Sequence, residues 1–373
     1  MPKFMDGNRA IALGAIDAGC DFFAGYPITP ATGILLHLAG HLPKTGGLVL
    51  QGEDEIASLG FCIGAAMSGR RVMTATSGPG ISLYSENIGL AIMGEVPLVI
   101  VDVQRMGPAT GAATTGAQGD IQFLRWGTSG GYPVIVLAPT TVEECYTLTI
   151  KAFDLAERFR VPVFLATDKE TALTKTTTHI KRENAPQVRD RKTADPESEF
   201  VPLGIKGLDE VPAMSPFGGP HKLRFTTSSH DERGYLTKDP EAVDRLNRHL
   251  AAKIEAHVDE ITMVDVDAEK GAETAVLSYG ISARSAKAAV IETRQQGQKV
   301  SLITIYSLWP VPEEAIREAL KGVKRIIVPE LNLGQYTREI ERLAEDDQEV
   351  IGIYRVDGKL ITPEEIREQG GLL

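Results

Sequence analysis

Short apolar or β-branched runs alternate with helix-forming stretches through residues 1–170, and this rhythm constrains the fold more than any other feature of the chain. The pattern predicts a helix over Asp6–Ala18, a strand at Asp21–Ala24, a helix after Pro30 and a strand at Gly47–Gln51. A helix of small residues follows from Glu55 to Ser68, then a strand at Val72–Thr76 and a helix over Ile81–Met93. Leu98–Val103, Val134–Leu137 and Val163–Ala166 read as further strands. The helix between the last two is expected to open at Thr140, with Glu143 completing a capping box. Strands that alternate with helices need crossover connections, so the expected fold is α/β, a parallel sheet with helices on both faces.

The rhythm has a compositional counterpart. Only 17 charged residues fall among the first 140, against 72 in the remaining 233, and 23 of the 37 glycines lie in the same first stretch. A charge-poor, glycine-rich segment suits a unit that is buried against a neighbour and lets its backbone approach a ligand closely. Residues 171–238 lose the alternation and read as a long irregular connection that wraps a neighbour or moves. Asp239-Pro240 then supplies an N-cap with proline at the first helical position. A second α/β unit follows over 239–373, with strands at Thr274–Ser278, Ser301–Ile305 and Arg325–Pro329.

Several function classes are disfavoured. With 39 Lys+Arg against 50 Asp+Glu the net charge is −11, a poor match to nucleic acid. No apolar run approaches the length of a membrane span, and the N-terminus does not read as a signal peptide, so a cytoplasmic location is expected. Cys20, Cys62 and Cys145 are far apart with no CxxC, which makes a cysteine-held zinc or iron–sulfur site in this chain improbable. Neither a P-loop nor HExxH occurs, the seven histidines lack metal-ligand spacing, and Gly78-Pro79-Gly80 reads as a tight turn rather than a dinucleotide fingerprint.

What remains is a set of turns at the carboxyl ends of the predicted strands, where open α/β sheets bind ligands. Gly25-Tyr26-Pro27-Ile28-Thr29-Pro30 presents the Thr29 hydroxyl between two prolines, either to a ligand or as the N-cap of the next helix. Glu53-Asp54-Glu55 puts three acids at a helix entrance, where the helix dipole favours them, although a buried carboxyl there would suit a heterocycle nitrogen. Thr76-Ser77-Gly78-Pro79-Gly80 forms a third turn. Arg105 closes a buried strand and needs an anionic partner, either a bound carboxylate or an acid of this chain such as Asp102 or Glu53.

Taken in order, Gly25-Tyr-Pro-Ile-Thr-Pro, Glu53-Asp-Glu-Ile, Thr74-Ala-Thr-Ser-Gly-Pro-Gly, Val103-Gln-Arg and Arg125-Trp-Gly resemble the alpha subunit of 2-oxoacid:ferredoxin oxidoreductases, most closely the 2-oxoglutarate type. His230-Asp-Glu-Arg-Gly and Pro329-Glu-Leu-Asn-Leu-Gly-Gln extend the resemblance over nearly the whole chain. It implies a pyrimidine-binding domain of a thiamine diphosphate site over 1–170 and a transketolase C-terminal-like domain over 239–373. By the same resemblance Glu55 bonds the aminopyrimidine, Thr29 and Arg105 bind the 2-oxoacid, and Tyr26, Pro27, Ser77, Gly78 and Gly80 contact the cofactor.

The implied reaction is oxidative decarboxylation of 2-oxoglutarate with CoA, giving acyl-CoA, CO2 and electrons for ferredoxin. A diphosphate-binding motif of Gly-Asp and a later Asn is missing, because Gly119-Asp120 is the only Gly-Asp and no Asn lies between 121 and 170. The diphosphate half, with Mg2+, is therefore expected on a beta subunit. The iron–sulfur cluster is expected on a partner too, with gamma and ferredoxin-like delta subunits as further partners. Thr128-Ser129-Gly130-Gly131 departs from the turn common in 2-oxoglutarate enzymes, which leaves branched-chain 2-oxoacids and pyruvate as alternatives. A self-sufficient thiamine enzyme is disfavoured by the missing motif, and a non-catalytic assembly subunit by the joint presence of Thr29, Glu55 and Arg105.

Overall fold

The computed structural model describes residues 3–373. Its first unit contains β1 (Lys3–Met5), β2 (Phe22–Gly25), β3 (Leu48–Gln51), β4 (Val72–Thr76), β5 (Leu98–Gln104), β6 (Ile135–Leu137), β7 (Pro162–Asp168) and β8 (Thr176–Thr178). The second contains β9 (Val264–Asp267), β10 (Thr274–Ser278), β11 (Ser301–Ile305), β12 (Ser307–Trp309), β13 (Arg325–Glu330) and β14 (Glu349–Tyr354). The expected α/β class is observed.

The larger sheet has seven strands in the order β12-β6-β7-β5-β4-β2-β3. From β6 to β3 all neighbours are parallel, and β5 is buried along its whole length. A strand covered on both faces must be apolar at nearly every position, as Leu98-Val-Ile-Val is. Its one acid, Asp102, is the exception. The smaller sheet runs β14-β13-β10-β11-β9, with only β9 antiparallel.

The sequence pattern misses one topological feature. β12 leaves the second unit and pairs antiparallel with β6, adding an edge strand to the first sheet. One apolar cluster consequently runs through both units, from Phe22 and Ile100 to Ile303 and Tyr336.

Local differences have local causes. The capping box sits one residue later than expected: Thr141 accepts from the Glu144 amide at 3.2 Å, while Glu144 accepts from the amides and hydroxyl of Thr140 and Thr141. The expected helix Ile81–Met93 is two, Gly78–Leu83 and Ser85–Met93, so Gly78-Pro79-Gly80 is the first turn of a helix rather than a free turn. The connection is not wholly irregular, since it holds helix Lys169–Leu173, β8 and the short turn Arg182–Asn184. Beyond these it runs along the first unit of its own chain, held by the buried Arg191–Glu157 pair at 2.6 Å and by Arg189–Asp154 at 2.6 Å. Asp239 caps helix Pro240–Glu255 as expected.

Candidate active site

In the seven-stranded sheet the chain runs outward from β2 to β3, then returns to place β4 on the other side of β2. Such a reversal opens a crevice at the carboxyl ends of β2 and β4. The turns singled out in the sequence leave the sheet at the carboxyl ends of β2, β3, β4 and β5, around this crevice.

Asp54 accepts from the Ala57 amide at 2.7 Å and so starts helix Glu55–Met67. Of the three acids there, Glu53 is exposed, Asp54 is the cap, and Glu55 is buried at 6% exposure. Capping explains Asp54 but not Glu55, whose carboxylate has no hydrogen-bond or ion-pair partner among the described residues. It packs on Gly80: a Cβ at Gly80 would fall 2.8 Å from Glu55 Oε1 and would clash with Thr76 Oγ1. Thr76 Oγ1 and Ser77 Oγ are themselves buried without partners. A buried carboxyl beside two unpartnered hydroxyls, under a glycine, is a polar cradle without an internal occupant.

The second group forms around Arg105, which is buried at the end of β5. Its Nη1 donates to the Thr29 carbonyl at 2.6 Å and its Nη2 to the Thr110 carbonyl at 3.1 Å. Neither Asp102 nor Glu53 pairs with it, so the internal-acid alternative does not hold, and Nε has no partner. Thr29 is exposed, and the following helix, Thr32–Ala39, is capped by Ala31 without a side-chain bond. The capping role considered for Thr29 is therefore absent.

Arg105, Gly78, Pro79 and Asp120 line a cleft of about 410 Å³ between the two units. The second unit supplies Leu331, Asn332, Leu333 and Gln335 to it. Those residues are held by Glu330, fully buried at the end of β13. Its carboxylate accepts from Tyr279 Oη at 2.7 Å, from the Tyr336 and Thr337 amides at 2.9 and 2.7 Å, and from Asn332 Nδ2 at 3.0 Å. Asn332 Nδ2 in turn donates to the Gln118 carbonyl at 2.7 Å, and Gln335 Nε2 to the Gly119 carbonyl at 2.6 Å, which clamps the loop carrying Asp120.

The structure thus brings Thr29 to Arg105, places Gly78 on the same cleft, and sets Glu55 against Gly80 with Ser77 nearby in the same turn. Tyr26 and Pro27 lie on the turn before Thr29, outside the cleft lining, with Tyr26 40% exposed. Sequence reasoning missed Asp102, Asp120, Gln118, Asn332 and Gln335 as site residues. An acid inside an otherwise apolar buried strand was a signal for Asp102; the others become visible only when the two units are docked. The cysteines are all free and buried, and burial raises their thiols, Cys62 to about 12.

A match to the model of the pyruvate flavodoxin/ferredoxin oxidoreductase thiamine diphosphate-binding region spans residues 13–249, and one to pyruvate:ferredoxin oxidoreductase core domain II spans 272–366. The chain is 43% identical to the 2-oxoglutarate synthase subunit KorA of Methanocaldococcus jannaschii, covering 98% of each. The chain belongs to the 2-oxoacid:ferredoxin oxidoreductase family. Within that family it is 34% identical to the ketoisovalerate oxidoreductase subunit VorB of Methanothermobacter thermautotrophicus, covering 99% of this chain and 98% of that one. A solved structure of 2-oxoglutarate:ferredoxin oxidoreductase from Magnetococcus marinus, with 2-oxoglutarate, coenzyme A and succinyl-CoA bound, superposes with a TM-score of 0.93 at 33% identity. The match covers 99% of this chain and 65% of that one.

No helix among the described residues is long and apolar enough to cross a membrane. Among the same residues no group of three or more His, Cys, Asp or Glu side chains is placed to hold a metal ion.

Proposed function

We propose that this chain is the alpha subunit of a thiamine diphosphate-dependent 2-oxoglutarate:ferredoxin oxidoreductase of the cytoplasm. The complex oxidatively decarboxylates 2-oxoglutarate with CoA, yielding succinyl-CoA and CO2 and passing two electrons to ferredoxin. The observation that carries this reading is the buried, unpartnered Glu55 carboxyl in its cradle with Thr76 and Gly80. Residues 1–170 form the pyrimidine-binding domain, 171–238 the connection and 239–373 the transketolase C-terminal-like domain.

The residues present fit the cofactor's aminopyrimidine, which needs one carboxyl and neighbouring polar atoms. Thiamine diphosphate, when bound, supplies the carbon nucleophile that adds to the keto carbon and the electron sink for decarboxylation. Glu55 holds a proton against the pyrimidine ring nitrogen. Ser77, Gly78 and Gly80, with Tyr26 and Pro27 from the β2 turn, shape the pocket around that ring. Arg105 binds the substrate carboxylate, and the Thr29 hydroxyl faces the keto oxygen.

The partner chains provide what this chain lacks: a beta subunit with the diphosphate half and Mg2+, an iron–sulfur cluster, and gamma and delta subunits leading to ferredoxin. The beta subunit covers the outer face of helix Glu55–Met67, where Ile56 and Phe61 are half exposed and the space above Gly60 and Gly64 is open. The four residues Thr128–Gly131 do not line the cleft; Arg125 holds the Gly131 carbonyl at 3.0 Å, and Trp126 packs on Gly131. Their departure from the usual pattern therefore leaves the 2-oxoglutarate reading in place, and the higher identity to KorA than to VorB supports it. Assaying the reconstituted complex with 2-oxoglutarate, 2-oxoisovalerate and pyruvate tests this reading, and a kcat/KM preference for either of the latter two would refute it.

A further inference from the structure

Helix Gly7–Asp17 turns one face into the apolar interior, and Ile11, Ala12 and Ala15 on that face are at most 1% exposed. Asn8 falls on the same face by helical spacing and is 2% exposed. The start of the helix is already capped by Asp6, whose carboxylate accepts from the Arg9 amide at 2.9 Å. Asn8 Oδ1 is buried without a hydrogen-bond partner. Asparagine is a poor helix former, and a buried amide with one unmet group pays desolvation that an apolar residue would not. The local structure gives no reason for it.

The reason lies in the turn after β2. Asn8 Nδ2 donates to the Pro30 carbonyl at 2.9 Å. Gly33 makes this approach possible, since a Cβ there would fall 2.7 Å from Asn8 Nδ2 and 3.0 Å from Asn8 Cβ. One residue earlier, the Thr29 carbonyl accepts from Arg105 Nη1 at 2.6 Å. Among the described residues neither carbonyl accepts a backbone amide, so two side chains from separate elements hold these consecutive peptide groups. Pro30 is buried and Thr29 exposed, so the turn is gripped from within and the Thr29 side chain is left open to a ligand.

We propose that Asn8 is a positioning residue for the substrate: through the Pro30 carbonyl it sets where the Thr29 hydroxyl stands relative to the Arg105 guanidinium. With Arg105 alone the turn is held at one carbonyl and can pivot about it. The second bond removes that freedom. A 2-oxoacid that must meet the guanidinium and the hydroxyl together depends on their relative placement, and a small displacement of one positioned group lowers the rate steeply. The inference rests on the reading of Thr29 and Arg105 given above, and it adds a buried group that never touches the substrate.

The test is a double-mutant cycle in the assembled complex, read as kcat/KM for 2-oxoglutarate. Asn8→Leu nearly keeps the side-chain shape and removes the donor, and should lower kcat/KM by about tenfold, the size of one positioned hydrogen bond. With Thr29→Val already in place, Asn8→Leu should cost less than about twofold more, because the hydroxyl it aims is gone. Gly33→Ala, which crowds the Asn8 amide, should show the same loss and the same dependence on Thr29, and it decides the matter if Asn8→Leu does not fold. No loss in either variant, or a loss that multiplies in full with that of Thr29→Val, overturns the inference alone. Wild-type kcat/KM in Thr29→Val overturns the reading of Thr29 and the inference with it.

Discussion

Arg105 at the end of β5 donates to the backbone carbonyl of Thr29 at 2.6 Å, so the guanidinium is aimed by the turn that presents the Thr29 hydroxyl. The contact is to the main chain, which separates the roles of the two side chains. Arg105→Met should raise KM for 2-oxoglutarate by the equivalent of about 2–5 kcal/mol, the usual loss for a buried charge-assisted contact. Thr29→Val keeps the carbonyl and hence the Arg105 geometry. It should lower kcat/KM by about 1–3 kcal/mol, the cost of one hydroxyl bond, without changing the dependence on substrate charge. Steady-state kinetics of the two variants in the complex check both statements.

Glu95, Lys253 and His249 form a wholly buried group that ties the first sheet to helix Pro240–Glu255. Glu95 Oε2 accepts from Lys253 Nζ at 2.7 Å and lies 3.1 Å from His249 Nε2. Burial alone would raise the Glu95 carboxyl, but Lys253, His249 and Arg160 outweigh it and hold it well below the usual range. A carboxyl depressed in the folded state stabilises fully above its ordinary value of 4.5, and that stabilisation drains away as the pH falls below it. Lys253→Met leaves a buried carboxylate without its ammonium and should cost about 3–5 kcal/mol in urea unfolding at pH 7. The cost should shrink between pH 4.5 and 3.

The small residues of helix Glu55–Met67 make a separate prediction about assembly. A side chain at Gly64 meets nothing within 4 Å in this chain, so Gly64→Arg should fold normally. If the beta subunit sits on this face, the same change should abolish co-purification of the two subunits. Circular dichroism of the variant and its elution with and without the partner separate these outcomes.

Much of this site was legible in the sequence because strand ends and helix starts carry local signals. The Val72–Thr76, Thr274–Ser278 and Ser301–Ile305 strands coincide with the structure, since β-branched runs bounded by turns fix their own limits. Thr29, Glu55 and Arg105 stood out as polar residues in an apolar segment. The β12 strand did not, because three residues, Ser307–Trp309, give no period, and its pairing with β6 is decided only by docking of the two units. The place of Asp120 in the cleft was hidden for the same reason: its loop is held by Asn332 and Gln335, more than 200 residues away in the chain.

The role proposed for Glu55 is that of the carboxyl that activates the bound cofactor. Glutamine at this position nearly keeps the shape and can still hydrogen-bond, but it cannot hold the proton against the pyrimidine nitrogen. General acid–base assistance of this kind is worth about 10²–10⁴ in rate. The most direct measurement is exchange of the thiamine C2 proton, followed by NMR in the assembled complex carrying Glu55→Gln or Glu53→Gln. Exchange should slow by about 10²–10⁴ in the Glu55 variant and stay near wild type in the variant of the exposed Glu53. Wild-type exchange in Glu55→Gln, or a larger loss in Glu53→Gln, would contradict it.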